Sequence, residues 1–319
     1  MVKNVRNKVI SLACLAAMLA PSAWADGEWQ TAARLDAPRA GLSVVVLDGR
    51  LYAAGGAGLT APRSEFEAYD VDIDRWMPEQ SLPRGLERFG LAAANGRIYA
   101  AGGYAPGEMG VGPSASVWSW SPDGGVWQSE AAMPAARADF TLSEVDGKLY
   151  AIGGTRDEGE MFVFDPEARE WDTVEIPEGV TRAASSAVVI NGEILIVGGF
   201  ANGAPVARSD VFNPATGEWR SGPQLPSARG GMAIAFDGEQ VHLFGGRGGE
   251  GNTTLDDHLT WTPGEAGWVE AEDLPSPRTN AAAAILNGGI YIVGGGSGGG
   301  FFAPFTALDV TDVYLEGEG

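Results

Sequence analysis

The sequence predicts an all-β fold built from six copies of one four-stranded unit, and three observations lead to that prediction. An Asp-Gly or Asn-Gly pair, a short apolar run and Gly-Gly recur six times, as in Asp48–Gly56. Such a pair between apolar runs is typical of a tight β-hairpin, because both turn residues need a positive φ. The first glycines of the six Gly-Gly pairs recur at a nearly constant spacing of about 50 positions, a period seen in propeller blades. In five units a tryptophan then follows another aromatic residue by seven positions.

Units of this length and strand content are typical of the blades of a β-propeller rather than of helical repeats. We name the strands of a blade a to d in chain order: the Asp-Gly turn joins a to b, the Gly-Gly pair ends b, and c and d carry the aromatic residues. Trp29 lies as far before the next strand a as the strand d tryptophans do, but no strand c precedes it. Leu308–Leu315, in contrast, resembles a strand c that no strand d follows. We therefore expect the strand at Trp29 to pair with the strand at Tyr314, which completes blade six and closes the ring.

The N-terminal segment Met1–Ala25 is predicted to be a signal peptide rather than part of the propeller. Three basic residues precede the apolar run Val9–Ala20, and Ala23-Trp24-Ala25 offers a cleavage site. A lipoprotein that begins at Cys14 is the alternative. We expect a single domain over residues 26–319, located in the periplasm or secreted. The run is too short to span a bilayer, so no membrane insertion is expected.

The composition excludes several classes of function. Removing the leader changes the formal net charge from −21 to −24, which argues against binding nucleic acid or an anionic membrane. It also removes Cys14, the only cysteine, and with it any disulfide or thiolate chemistry. His242 and His258 have no companion cluster in the sequence, and Asp70–Asp74 lacks the later residues of a calcium loop. We therefore predict a monomer without a metal or a cofactor.

The repeated residues resemble kelch repeats over the whole mature chain. The resemblance rests on Gly-Gly after the second strand, on the two aromatic residues, and on Pro-x-x-Arg before the next blade, as in Leu225–Arg229 and Leu274–Arg278. It implies a six-bladed kelch propeller. Kelch propellers serve as adaptors, as sugar-processing enzymes and as structural parts, so the resemblance does not by itself define a function.

One face of the predicted propeller is the candidate working surface. The b–c loops vary about twofold in length, while the turns on the other face are short and nearly constant. The first residue of strand a is an arginine in five of the six blades. In blade 2 it is Leu86, with Arg88 nearby. The candidate ligand-binding residues are Arg39, Arg88, Arg137, Asp139, Arg182, Arg229, Arg278 and Asn280 around the channel mouth, and Tyr104, Phe200, Arg208, Arg247 and Phe302 in the loops.

Two interpretations of the arginines remain open at this point. Guanidinium groups match carboxylates bidentately, so a ring of them would bind an anionic saccharide or an acidic peptide. Alternatively, each arginine is paired with backbone carbonyls or with a carboxylate of the next blade and only fastens the ring.

An enzyme is the alternative to a ligand-binding or protein-binding module. The chain also resembles periplasmic sialic acid mutarotases, in which a Glu directly after the blade-four glycine works with an Arg. Here Phe200 stands at the Glu position, while Arg208–Asp210 resembles the Arg segment. The resemblance thus implies a sugar mutarotase or epimerase with a different acid–base pair.

Overall fold

The computed structural model describes residues 27–59, 61–155, 159–249, 253–298 and 303–317. The predicted signal peptide and Phe302 lie outside the described residues. Within them the chain forms six antiparallel sheets of four strands each, which confirms the predicted all-β architecture. The described part of the chain contains no helix long and apolar enough to cross a bilayer.

The six sheets follow one another along the chain as blades. Blade 1 comprises Ala40–Leu47, Arg50–Ala57, Phe66–Asp70 and Arg75–Pro78. Blade 2 comprises Gly90–Ala94, Arg97–Ala101, Val117–Trp120 and Gln128–Ser129. Blade 3 comprises Thr141–Val145, Lys148–Ile152, Glu160–Asp165 and Glu170–Glu175. Blade 4 comprises Ser186–Ile190, Glu193–Val197, Ser209–Asn213 and Glu218–Ser221.

The last two blades have the same order, and the b–c loops together with the connection from blade 4 to blade 5 add short elements. Blade 5 comprises Ala233–Phe236, Val241–Phe244, His258–Trp261 and Val269–Glu270. Blade 6 comprises Ala282–Leu286, Gly289–Val293, Thr311–Leu315 and, at its outer edge, Glu28–Ala32. The loop elements are the hairpins Tyr104–Gly107 with Gly110–Pro113 and Phe200–Ala201 with Ala204–Pro205, the strands Arg229–Gly230, Arg247–Gly248 and Thr253–Thr254, and the 3₁₀ helix Pro304–Thr306.

The strands a line a closed ring. Each strand a contacts the strands a of both neighbouring blades, and that of blade 6 contacts that of blade 1. The predicted closure is confirmed: Glu28–Ala32 pairs antiparallel with Thr311–Leu315, and Trp29 lies opposite Tyr314. The two ends of the described chain are thereby joined in one sheet, which leaves no blade short of a strand.

The Gly-Gly pairs connect each blade to the next. The second glycine of every pair donates its N–H to the carbonyl oxygen of the residue that begins the next blade, from Gly56 to Leu86 (2.7 Å) round to Gly295 and Arg39 (2.9 Å). Both glycines have positive φ, and a Cβ on Gly55 would lie 2.5 Å from the Leu86 oxygen. A side chain at this position would therefore separate the blades.

The aromatic residues fill the space between neighbouring blades. Phe66 of blade 1, for example, packs edge-on against Trp120 of blade 2, with ring centroids 5.0 Å apart. The indole N–H of a strand d tryptophan donates to a carbonyl of the preceding blade, as from Trp171 to Ala131 (2.9 Å). A ring packed against a neighbouring blade and an indole N–H bonded to it make such a tryptophan a specific link between two blades.

Candidate functional site at the channel mouth

The five arginines that the sequence placed at the start of strand a lie one to four residues before the observed strand, and they are buried. They are at most 3% exposed, and they are Arg39, Arg137, Arg182, Arg229 and Arg278. Their side chains therefore point away from the solvent in the channel mouth. Leu86, which takes the same place in blade 2, is fully buried as well.

Each of these arginines is paired inside its own blade, and not with a carboxylate of the next blade as the fastening interpretation expected. The Arg182 guanidinium donates to the carboxylate of Asp210 (2.6 Å), and to backbone carbonyls that include that of Ile196 (3.0 Å). Arg39 is paired with Glu67, Arg229 with Asp257, and Arg278 with Asp312. These carboxylates lie on strand c of the same blade or directly before it, so each arginine joins the start of strand a to strand c.

Blade 3 uses an aromatic ring in place of the carboxylate. The Arg137 guanidinium carbon lies 4.0 Å from the centroid of Phe162, and its Nη1 donates to the carbonyl of Glu160 (3.0 Å). Phe162 pairs with Ala151, two residues before the glycine pair, which is the register that Asp210 has opposite Ile196 in blade 4. A cation–π contact thus replaces the ion pair at the same position.

This geometry favours the fastening role over ligand contact for the five arginines. A ligand in the channel does not reach side chains that are buried and already paired. The partners follow a signal that the sequence contains, because Glu67, Asp210 and Asp257 each stand at the same separation from their arginine along the chain. The sequence interpretation did not use this spacing, and it therefore left both roles open.

A second set of six residues, two positions further along, forms the channel mouth. These are Gly41, Arg88, Asp139, Ala184, Gly231 and Asn280, and all six have a positive φ. The N–H of each donates to the carbonyl oxygen of the equivalent residue in the preceding blade, at 2.7 to 2.9 Å. The N–H of Gly41 donates to the carbonyl of Asn280, so the six hydrogen bonds form a closed ring, which we call the mouth ring.

The mouth ring separates two cavities along the channel axis. On the loop side lies a cavity of about 250 Å³, the mouth cavity, whose wall includes Arg88, Asp139, Phe200, Arg247 and Asn280. A smaller cavity of about 120 Å³ continues into the channel past the same ring residues. The structure thus brings together five of the residues that the sequence predicted for a ligand site.

The polar side chains at the wall of the mouth cavity interact electrostatically with one another. Arg88 and Asp139 come from neighbouring blades, and their side chains approach to 3.6 Å between Nη1 and Oδ2. Burial raises the pKa of the Asp139 carboxyl, although Arg88 and a hydrogen bond with the Tyr104 hydroxyl oppose this effect. The pKa of Tyr104 is raised by burial and by the Asp139 carboxylate.

Glu87 is a further member of this group that the sequence analysis missed. It exchanges two backbone hydrogen bonds with Tyr104, at 2.8 and 3.1 Å. Burial raises the pKa of its carboxyl, Arg88 opposes the shift, and the nearby Asp139 charge adds to it. No repeated pattern marks Glu87, because the residue between the blade start and the mouth ring varies among the blades.

Phe200 and Arg247 form the apolar and cationic side of the mouth cavity. The Arg247 guanidinium carbon lies 4.7 Å from the centroid of the Phe200 ring. The ring is held against the backbone of Gly230, where a Cβ would come within 2.4 Å of it. The aromatic face and the guanidinium are therefore fixed relative to each other by packing.

Arg208 stands apart from this site. Its guanidinium donates to Asp210 Oδ1 (2.6 Å) and to the carbonyl of Gly179 (3.0 Å), so it shares the carboxylate that Arg182 holds from the other side. Arg208 is in the lining of neither cavity at the mouth. The arginine that the mutarotase resemblance singled out is thus held by a structural ion pair.

The two histidines are not isolated, contrary to the sequence interpretation. His242 and His258 lie side by side in blade 5, with Nδ1 of His242 3.1 Å from Nε2 of His258. Asp237 and Glu316 lie next to His242, with carboxylate oxygens 3.0 and 3.2 Å from its Nε2. The sequence concealed this cluster because Glu316 comes from blade 6 and is distant from His242 along the chain.

Comparisons with known proteins agree with this architecture. The profile of the KLHDC2/KLHL20/DRC7 Kelch-repeats domain matches residues 139–314, more than half of the chain, and the Kelch motif matches residues 38–83 and 87–134. The solved structure of YjhT has a TM-score of 0.76 over 88% of this chain and 96% of that one, at 16% sequence identity, a likeness that concerns the fold alone.

Curated relatives align with part of their own length. Kelch-like protein 35 of Mus musculus is 27% identical over 64% of this chain and 34% of its own. Kelch-like protein 23 of Homo sapiens is 29% identical over 58% of this chain and 33% of its own, and Kelch-like protein terF of Aspergillus terreus is 28% identical over 51% and 39%. The chain thus spans between a third and two fifths of these relatives. With its repeats, its closed ring of blades and its matched profiles, the chain belongs to the kelch-repeat family.

Proposed function

We propose that this kelch propeller is a binding module that takes an anionic saccharide into the mouth cavity. The observation that carries the proposal is the wall of that cavity, which Arg88, Arg247, the Phe200 ring and the amide of Asn280 line together. Guanidinium forks pair with a carboxylate, an aromatic face covers the apolar side of a sugar ring, and an amide bonds hydroxyl groups. A volume of about 250 Å³ fits one sugar unit rather than a chain of them.

The acidic side of the cavity determines the orientation of the bound ligand. Asp139 repels a second negative charge, so the ligand carboxylate lies toward Arg247 while hydroxyl groups face Asp139. An acidic peptide is the competing ligand, because its side chain carries the same carboxylate.

The test is titration of the protein with sialic acid, a uronic acid, galactose and a glutamate-rich peptide. We expect the acidic sugars to bind and galactose to bind more weakly. Binding should weaken as salt rises, since screening acts over about 8 Å at physiological ionic strength. Arg247→Ala should weaken binding by about 1.5–3 kcal/mol, the range for hydrogen bonds to charged groups.

Arg220→Ala is the matched control for that variant. Arg220 is a 60% exposed arginine of blade 4 that is paired with Glu193, in the lining of a different cavity. It carries the same charge as Arg247 without bordering the mouth cavity. Equal losses in the two variants would point to a general charge effect and contradict the proposed site, whereas binding of the peptide alone would replace the saccharide with a protein partner.

A second candidate function is a sugar mutarotase, and the position of Asp139 in the cavity wall with Glu87 nearby favours it. Interconversion of anomers needs one group that gives a proton and one that takes it, and burial raises the pKa of both carboxyls, which helps them to hold a proton. NMR exchange between the anomers of a reducing sugar should then be faster with the protein than without it. Loss of that acceleration in Asp139→Asn, with binding retained, would favour the enzyme over the binding module.

Export is part of the same proposal. Cleavage after Ala25 would leave Glu28–Ala32, the closing strand of blade 6, within the mature chain. Mass spectrometry of the protein recovered from the periplasm or the medium should then find Asp26 as its first residue. A processed N-terminus at Cys14 would support the lipoprotein alternative instead.

A further inference from the structure

A buried histidine of blade 5 faces two carboxylates across the seam between blades 5 and 6. His242 lies on strand b of blade 5, Asp237 lies in the turn before that strand, and Glu316 follows strand c of blade 6. His242 Nε2 is 3.0 Å from Asp237 Oδ2 and 3.2 Å from Glu316 Oε1. The His242 side chain is 1% exposed, whereas those of Asp237 and Glu316 are 16% and 51% exposed, so the group opens to solvent on its acidic side.

The hydrogen-bond chain behind His242 determines which atom it presents to the carboxylates. His258 Nδ1 lies 3.2 Å from the carbonyl oxygen of Glu272, which only accepts, so this nitrogen carries a proton. His258 is fully buried among the rings of Phe244 and Tyr314, where a charged imidazole is costly, so its Nε2 is an acceptor.

His242 Nδ1 therefore donates to His258 Nε2, and the lone pair of its Nε2 points toward Asp237 and Glu316. A second-sphere acceptor behind the distal nitrogen is the usual support of a metal-binding histidine.

Asp237 is oriented in the same way. Its Oδ1 accepts the backbone N–H groups of Glu239 (2.7 Å) and Gln240 (2.6 Å), which leaves Oδ2 directed at His242. With a neutral His242, one nitrogen lone pair and two carboxylate oxygens converge, and none of these three atoms then has a proton to offer the others. The group is electron-rich and needs a cation between its members.

The spacing of the three atoms fits coordination of a single ion. Metal–ligand bonds of about 2.0–2.2 Å at tetrahedral or octahedral angles place neighbouring ligand atoms about 3.0–3.5 Å apart. The two distances from His242 Nε2 lie in this range, and all three ligand atoms lie within 4.8 Å of one another. An imidazole nitrogen among the ligands favours a transition metal such as zinc over magnesium or calcium.

We propose that Asp237, His242 and Glu316 bind one divalent transition-metal ion of the zinc type, which joins blade 5 to blade 6. The exposed side of the group leaves room for water to complete the coordination. The ion lies beside the pairing of Glu28–Ala32 with Thr311–Leu315, so it holds the closing strands of the ring to the neighbouring blade.

Titration of EDTA-treated protein with zinc chloride tests the proposal. We expect one zinc ion per chain and a higher melting temperature with zinc than without it. Asp237→Asn and Glu316→Gln each weaken zinc binding at least tenfold and abolish the rise in melting temperature, because each removes a charged ligand without changing side-chain size. Glu265→Gln, an exposed glutamate of a blade 5 turn, is the control and leaves both unchanged.

The alternative occupant is a proton, which would make His242 an imidazolium held between the carboxylates. NMR of the ring nitrogens distinguishes the two, because zinc shifts Nε2 and leaves Nδ1 protonated. A ring that stays protonated on both nitrogens with excess zinc overturns the proposal. So does zinc binding that both ligand variants leave intact.

Discussion

Four of the buried arginines donate hydrogen bonds both to a carboxylate and to the backbone of their own blade. They are Arg39, Arg182, Arg229 and Arg278. A buried guanidinium needs acceptors for most of its donors, and the strands of one blade supply acceptors that no single strand has. Among the described residues, Arg39 Nε, Arg229 Nε and Arg278 Nη1 are left without a hydrogen-bond partner. The repeated arginine is therefore explained by blade assembly. The side chains that face the mouth cavity stand elsewhere and differ from blade to blade.

We predict that Arg278→Ala destabilises the propeller and leaves ligand affinity unchanged. Its loss strands the carboxylate of Asp312, which is 2% exposed, and removing one partner of a buried ion pair costs about 3–5 kcal/mol. Denaturant unfolding and a ligand titration on the same variant check both parts. Arg220→Ala should cost at most about 1 kcal/mol, since its ion pair is exposed. If the Arg278→Ala protein were as stable as the original but bound ligand more weakly, the prediction would be wrong and Arg278 would be a ligand-binding residue.

We also predict that Asp139→Asn raises the melting temperature at neutral pH. Because the pKa of Asp139 is raised in the folded protein, its contribution to stability is full below the ordinary value of 3.8 and is lost as pH rises through the folded-state pKa. Asparagine does not ionise, so the variant gains most at pH 7 and the gain shrinks toward pH 4. Melting curves over that range, with exposed Asp123→Asn as control, test this. A difference that does not change with pH would contradict it.

At the residue scale, the sequence identified Arg88, Asp139, Phe200, Arg247 and Asn280 by their positions in the repeat, and all five border one cavity. It did not identify Glu87 or the carboxylates that pair with the buried arginines. Repeat position determines where a backbone lies, whereas side-chain direction depends on neighbours from other strands. The two histidines show the same limit, because Glu316 of their cluster comes from another blade.

The closing strand Glu28–Ala32 is the element on which the ring depends. Trp29 packs on Tyr314 (centroids 5.1 Å apart) and on Phe244 of blade 5 (5.8 Å), and its indole N–H donates to the carbonyl of Glu272 (3.2 Å). This one side chain therefore contacts both blades at the seam. The strand contributes packing as well as ladder hydrogen bonds.

We predict that deletion of residues 26–33 lowers the melting temperature and promotes aggregation. The deletion exposes the edge of Thr311–Leu315 and the apolar rings beneath Trp29. Trp29→Ala is the milder variant, and it should cost about 3 kcal/mol through the cavity it leaves. Thermal unfolding and light scattering measure both effects. Unchanged unfolding of the truncated chain would show that the ring closes without this strand.

At the scale of the whole molecule, the period of the glycine pairs determined the fold because each blade repeats the same contacts with the next. The same hydrogen bond from the second glycine recurs at all six seams, so one repeat contains the information for every interface. The residues at the channel mouth are not repeated in this way from blade to blade. The b–c loops differ in length and pairing, and those of blades 4 and 5 line the mouth cavity with Phe200 and Arg247.

Relatives of this protein can change ligand preference without moving the backbone at the four mouth-ring positions that already carry a Cβ. A Cβ on Gly41 or Gly231, in contrast, would come within 2.9 Å of a neighbouring side chain. Each member of the mouth ring holds its place by its own N–H and carbonyl, so the side chain plays no part in the linkage. Positive φ restricts the choice to glycine, asparagine, aspartate and, at some cost, other unbranched residues, while β-branched ones are excluded. In this chain the three polar members are Arg88, Asp139 and Asn280, and Gly41, Ala184 and Gly231 are small. Divergence then proceeds by substituting a small set of residue types at positions that stay fixed around the channel axis.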